Sequence, residues 1–498
     1  MKRRQGLIAG LAGLAPLAGP AGFGLWLPAG ARAATPGIEL PPEAGPPRPL
    51  QLPDFAQATL DNGLRIVVAP RARLPLVSVS VLLLAGREAD PAGRAGLAST
   101  TVDLLGKGAL RGGRPVGATE LARQAEALGG TLDSGSGWRS ASIGMTVTTP
   151  KLPAALALLA DLVRRPLLDA EELERARAQA LDGLRLTLAN PGEVAGLVAR
   201  RIFWGDGPWA ASPTPASLQR IVRDDVRAFH EGRYRPERCI VVLAGAVSAR
   251  EARALVQSRF GDWRPRAAAA PAIVAMAPAP IAQRTVFVDM PGSGQSGVVI
   301  TAPFSAMDAA DRRIGDVASA VLGAGYSSRL NQEVRIKRGL SYGVGAGAET
   351  QPGGGMWSAR AQTQHATAAQ VLELMRDETL KLGREAPAAE ELAARQATLV
   401  GSFARRLETT AGIASVLGGH LAQGRPLTEL ARYAEMVLAV TPAQVQDFAA
   451  RHWSAEALRS VVAGDLGAAG EALRQVDAQA LVRRLDGIDL ERADLGSR

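Results

Sequence analysis

Three positions in the first half of this 498-residue chain are answered in the second half at a single offset. Glu171 and Glu390, Phe229 and Phe448, and Gly245 and Gly464 each lie 219 residues apart. Their surroundings match as well. "DAEELERARAQAL" (169–181) is echoed by "AAEELAARQATLV" (388–400), "VRAFHEGRY" (226–234) by "VQDFAARHW" (445–453), and "IVVLAG" (240–245) by "RSVVAGD" (459–465). An alanine-rich composition can imitate one such echo, but not three at one spacing. The chain is therefore expected to hold two copies of one domain, residues 50–265 and 284–485. Between them "RAAAAPAIVAMAPAPIAQ" (266–283) is rich in Ala and Pro, has no amphipathic period and reads as a linker.

Each half reads as α+β. Asp61-Asn62-Gly63 supply turn residues between two short strands, a hairpin signal. "PLVSVSVLLLAG" (75–86) alternates and then becomes wholly apolar, as a buried strand does. "GGTLDSGSGWRSASIGMTVTT" (129–149) reads as a second strand pair. Asp169 with Glu172 predicts a capping-box start to a helix over 170–188, and Thr441 with Gln444 predicts another, with Pro442 at the first helical position.

The formal charge is +9; without Lys2, Arg3, Arg4 and Arg32 of the leader it is +5. The basic residues are scattered arginines with no interleaved aromatic stripe, so nucleic acid is not an expected partner. Residues 1–33 read as a signal peptide: "MKRR", a Gly/Pro-broken apolar run, and "ARA" before Ala34. Export to the periplasm is expected, with Arg3-Arg4 leaving the twin-arginine route open. An uncleaved anchor is the alternative; no other segment is long and apolar enough to span a bilayer. The single cysteine, Cys239, cannot form an internal disulfide and reads as a strand thiol. There is no P-loop, dinucleotide fingerprint or serine elbow, and "GSGQSG" (292–297) is followed by no helical pattern.

"TLDNGLRIVV", "AGREAD…GRAGLA", "FWGDGPWAASPTPASLQRI", "DDVRAFHEGRYRPERCIVVLAG" and "SSRLNQEVRIKRGLSYGV", in that order over residues 50–465, resemble the pitrilysin/insulinase family of metallopeptidases. The likeness is to its shorter two-domain members, such as the mitochondrial processing peptidase subunits. The resemblance implies two tandem homologous α/β-roll domains. Active members carry H-x-x-E-H on the helix after "GLA": two His one turn apart share a zinc ion, and the Glu serves as general base. Aligning "GLA" puts those positions at Ser99, Val102 and Asp103, and the family's further Glu ligand at or near Gly183, beside Asp182. The four histidines are His230, His365, His420 and His452, so no imidazole precedes residue 230. The expectation is a chain with no cofactor of its own, inactive alone as a zinc peptidase.

What the second half keeps is the family's Arg/Tyr pair, seven residues apart, at Arg335 and Tyr342; Arg338 has the wrong spacing. By resemblance, these groups bind a substrate carbonyl and the oxyanion that forms from it. Gly323 and Gly325 in "LGAGYSSRL" (322–330) either permit a turn or contact peptide backbone. Ligands lost and Arg/Tyr kept imply a zinc-free subunit of a heterodimeric metalloendopeptidase, its zinc expected in an H-x-x-E-H partner. An unfolded peptide would lie extended along a sheet edge. A purely structural subunit, or a peptide-binding homodimer, stays open.

Overall fold

The computed structural model describes residues 52, 54–265, 268–274 and 276–496; the leader lies outside them. Chain order in the first half is β1 (Ala56–Thr59), β2 (Arg65–Pro70), β3 (Leu76–Leu83), α1 (Leu97–Leu105), the ribbon β4 (Gly108–Arg111) and β5 (Arg114–Gly117), α2 (Ala118–Ala127), β6 (Asp133–Ser136), β7 (Ala141–Thr148), α3 (Leu152–Arg164), α4 (Ala170–Ala189), α5 (Pro191–Trp204), α6 (Arg223–Arg233), β8 (Cys239–Gly245) and α7 (Ala249–Phe260). The second half runs β9 (Thr285–Asp289), β10 (Ser296–Phe304), α8 (Arg312–Gly323), β11 (Ser341–Gln351), β12 (Gly354–Thr363), α9 (Ala368–Arg384), α10 (Ala389–Arg406), α11 (Thr410–Ala422), α12 (Pro442–His452), β13 (Arg459–Gly464), α13 (Leu466–Val476) and β14 (Leu481–Arg484). Short helical turns fill several of the connections.

The two sheets repeat one topology. The first is ordered β1-β2-β8-β3-β7-β6 and the second, read in the same sense, β14-β9-β13-β10-β12-β11. In each, one pair (β2 with β8, β9 with β13) is parallel and the inner neighbours are antiparallel. The outermost strand differs: β1 comes from the N-terminal hairpin, antiparallel, whereas β14 comes from the C-terminal end, parallel. Beyond β14 the chain still packs, with Leu490 and Leu495 buried. The hairpin at Asp61-Asn62-Gly63 forms, Gly63 at φ 87°.

β8 shows why the sheets need cover on both faces. All seven of its residues are buried. Val241 and Leu243 join the core under α1, α3 and α7. Ile240, Val242 and Ala244 join Val67 and Leu82 on the opposite face. That second face is covered by α11, from the other half of the chain, through Ile413, Val416 and Leu417. The exchange is reciprocal: Val194, Val198 and Ile202 of α5 pack on Val286, Val299 and Val461 of the second sheet. Continuous apolar runs in the central strands are the sequence signature of this two-sided burial.

The described residues of the linker form no helix or strand, and its backbone is tied down by Ala270 N–H to Gly232 O (3.1 Å) and Ile281 N–H to Ile202 O (3.0 Å). The second predicted capping box is present, with Thr441 N–H donating to Gln444 Oε1 at 2.9 Å and Gln444 N–H to Thr441 Oγ1 at 3.3 Å. The first is half formed: Asp169 accepts from Glu171 N–H at 2.8 Å, while Glu172 pairs with Arg175 one turn on and does not reach back. Among the described residues no helix is long and apolar enough to cross a membrane.

Candidate functional site

The helix that would bear the metal ligands is held by its frame. Gly96, just before α1, has φ 106°, and a Cβ there would lie 2.9 Å from Leu218 Cδ2. Only glycine is at ease in that conformation and that space. Asp90 accepts from Gly96 N–H (2.8 Å) and Ala98 N–H (2.7 Å), satisfying the first turn of α1. Burial raises the Asp90 pKa to about 6 in spite of these two bonds. Glu88, on the same approach loop, is pushed to about 7, again by burial, with Arg139 the strongest opposing charge at 3.7 Å.

The four degenerate positions then fall as follows. Ser99 is half-buried, Val102 is fully buried among the core residues, and Asp103 is exposed to a cavity of about 760 Å3 between α1, α2, β6 and α4. The protein around that cavity desolvates the Asp103 carboxylate and raises its pKa; Lys107 works against the shift. Gly183, on α4, is exposed and has nothing near the place of a Cβ. Asp182 faces Arg185 at 2.6 Å. One carboxylate, one hydroxyl, one core aliphatic and one bare backbone position do not fit a zinc ion, which needs three protein ligands in a catalytic site. Among the described residues no group of three His, Cys, Asp or Glu is placed to hold a metal.

Each histidine serves the structure around it. His230 Nε2 is 2.8 Å from Val163 O, His365 bridges Ser296 Oγ (2.8 Å) and Ser293 O (2.7 Å), His420 Nε2 meets Pro426 O (2.9 Å), and His452 stacks on Phe448. The Cys239 thiol is buried, and burial drives its pKa well up.

In the second half Arg335 and Tyr342 are brought together. Arg335 sits on a π-helical turn, Gln332–Ile336, and Tyr342 near the start of edge strand β11. The register of β11 slips between Ser341 and Val344, and such a bulge re-aims a side chain; Tyr342 stands 88% exposed. Asn331 fixes the turn to the strand, its amide donating to Val344 O (2.6 Å) and accepting from Val344 N–H (3.0 Å). A third residue completes the arrangement. The Arg335 guanidinium carbon lies over both rings, 4.3 Å from the centroid of Tyr326 and 4.7 Å from that of Tyr342. The cation is held by the two rings while its N–H groups have no hydrogen-bond acceptor among the described residues. Arg338 is turned away, paired with Glu333.

The glycines of 322–330 build this clamp. A Cβ on Gly323 would come within 2.3 Å of Ala346 Cβ, so its absence lets α8 close on β11. Gly325, at φ 81°, turns the chain so that Tyr326 meets Arg335. A groove of about 560 Å3 beside Tyr342 is lined by Gln295, Arg360, Gln362 and Glu193. It adjoins the end of α4, where Asn190 Oδ1 caps α5 and accepts from Gln362 at 2.8 Å. Gly183 and Asn190 are seven residues apart on that element, roughly 10 Å of helix, so α4 runs from the degenerate metal position toward the second-half groove.

Comparison with known proteins matches this geometry to a family. A model described as "Peptidase M16 inactive domain" matches residues 220–399. Over that stretch the chain is similar to a peptidase M16 inactive domain. It is 25% identical over 370 residues to an uncharacterized zinc protease of Streptomyces coelicolor, covering 73% of the present chain and 79% of the relative. It is also 25% identical over 211 residues to the bovine mitochondrial cytochrome b-c1 complex subunit 1, covering 42% and 43%. Among solved structures, a peptidase M16 inactive domain from Pseudomonas fluorescens superposes with a TM-score of 0.74 at 24% identity, over 82% of this chain and 98% of that one. The paired α+β rolls are the pitrilysin-type fold, and the chain is similar to the family's inactive members.

Proposed function

We propose that this chain is the zinc-free subunit of a heterodimeric zinc metalloendopeptidase, exported by its leader. The reading rests on one contrast. The first-half cleft has no zinc-binding set, whereas Arg335 is held by two tyrosines with its N–H donors open. Metal chemistry belongs to a homologous H-x-x-E-H partner. The present chain closes the substrate chamber, and its Arg335 edge and the Tyr342 hydroxyl hold peptide carbonyl oxygen as negative charge builds on it. Strands β6 and β11 each lie at one edge of their sheet, where an extended peptide can add a strand. The likeness to a cytochrome b-c1 subunit favours a second reading, a structural or peptide-binding subunit with no part in proteolysis.

A quenched unfolded peptide, assayed with this chain, with the zinc partner and with both, separates the two. Activity only in the mixture, falling by about a hundredfold in Arg335→Ala as for loss of an oxyanion donor, is the expected result. Activity of the partner alone, unchanged on mixing, overturns the shared site and leaves the structural reading.

A further inference from the structure

A cavity of about 500 Å3 lies between α8, α10 and α11, and it shares no lining residue with either the first-half cleft or the groove beside Tyr342. Its charges do not balance. Arg313 pairs with Asp316 at 2.7 Å, and Arg425 pairs with Glu429. Arg312 sits between the same two acids, 3.9 Å from Asp316 and 3.8 Å from Glu429. Arg406 lines the cavity with no acidic partner among the described residues. His420 adds no charge: burial first, and then Arg425, pull its pKa to about 4, and its Nε2–H donates to Pro426 O. Three guanidinium groups thus line the cavity with two carboxylates, and Arg312, outside the lining, draws on the same two acids.

Two further observations agree. Burial, followed by repulsion from Arg313, brings the Arg312 pKa down to about 10. Arg313 Nε is buried with no acceptor, although its guanidinium carbon lies 4.7 Å from the centroid of Tyr433. Leu399, Phe403, Val416 and Leu430 supply an apolar part of the wall, with Ser319, Ser402 and Gln423 adding polar groups. Water alone leaves the Arg406 charge and the buried Arg313 Nε–H without a protein acceptor among the described residues, an arrangement that an anion relieves.

We propose that this cavity binds a small organic anion with a doubly charged oxyanion head and a short apolar body. The head would lie between Arg406, Arg425 and Arg313, whose planar forks suit phosphate and carboxylate oxygens alike. The body would rest on Phe403 and Val416. Because α11 covers the first sheet while α8 and α10 belong to the second, the bound molecule would clip the two halves together.

Calorimetric titration of the full-length chain tests this with phenyl phosphate and phthalate as probes, inorganic phosphate as a head without a body, and benzyl alcohol as a body without a head. At least one of the two aromatic dianions is expected to bind one per chain with a Kd below about 1 mM, more tightly than inorganic phosphate, while benzyl alcohol does not bind. Which aromatic dianion binds better separates a phosphate ester from a dicarboxylate as the natural class. Arg406→Gln, an exposed change with no bond to break, is expected to weaken binding about tenfold or more, with the unliganded melting temperature unchanged and Arg406→Lys recovering part of the loss. Arg425→Gln should weaken it as well. No heat from either aromatic dianion at about 10 mM, or binding indifferent to both substitutions, overturns the site. Neither result bears on the Arg335 clamp, which lies outside this cavity.

Discussion

Val102, aligned in the sequence with the family's general base, is a core residue. A general base must reach the site, yet this side chain is fully buried beneath α1. Val102→Glu should therefore bury an unpaired carboxylate and cost about 3 kcal/mol, measured by urea denaturation; an unchanged midpoint would show that the position still opens to the cleft. Glu88 makes a pH-dependent case. Its folded-state pKa near 7, raised mainly by burial from 4.5, means the folded protein keeps a proton that the unfolded chain releases. Its stabilising share is complete below pH 4.5 and is lost as pH rises through 7. Glu88→Gln should flatten that slope and gain on the order of 2 kcal/mol over the parent at alkaline pH. Parallel stability curves for parent and variant would refute it. That no imidazole precedes residue 230 is read from the sequence alone and needs no geometry. Tyr326 was not legible there, since its contact with Arg335 depends on the φ of Gly325 and on the close approach of α8 to β11, neither of which has a periodic signal.

Among elements, α1 depends on a residue outside itself. Asp90 holds two of its N–H groups, so Asp90→Ala should cost about 1–2 kcal/mol and speed amide exchange at Gly96 and Ala98, while Asp90→Asn should keep part of the cap. Equal exchange in parent and Asp90→Ala would remove Asp90 from the cap. Strand pairs, the Asn-Gly hairpin and the second capping box followed from local sequence because each is set by neighbours a few residues apart. Glu172 did not follow, because Arg175 competes for it. The exchange of α5 and α11 was also hidden: an apolar run like β8 announces that both faces are covered, but not by which helix.

For the molecule as a whole, that exchange decides what can fold alone. The first sheet without α11 would bare Val67, Leu82, Ile240 and Val242, and α5 without the second sheet would bare Val194, Val198 and Ile202. Residues 52–265 expressed alone should be insoluble or molten. A protease site inserted near residue 270 and cut after folding should leave two fragments that co-elute and melt together, though among the described residues only Arg200–Glu349 and Arg220–Glu491 pair ions across the seam. Fragments that separate on a sizing column would mean the exchanged helices contribute little. The offset of 219 made the duplication plain, and composition made the linker plain. The interlocking of the copies was invisible because both halves have the same pattern of apolar faces.

The crossed helices also bear on ancestry. A roll that borrows a helix from its twin has no solitary form, so the gene that was later doubled must have encoded a protein living as a twofold pair, each copy reaching across to roof the other. Fusion turned that symmetric embrace into a single strand of peptide. Once the two sides were encoded separately, each could change without the other, a divergence that an identical pair has no means to begin.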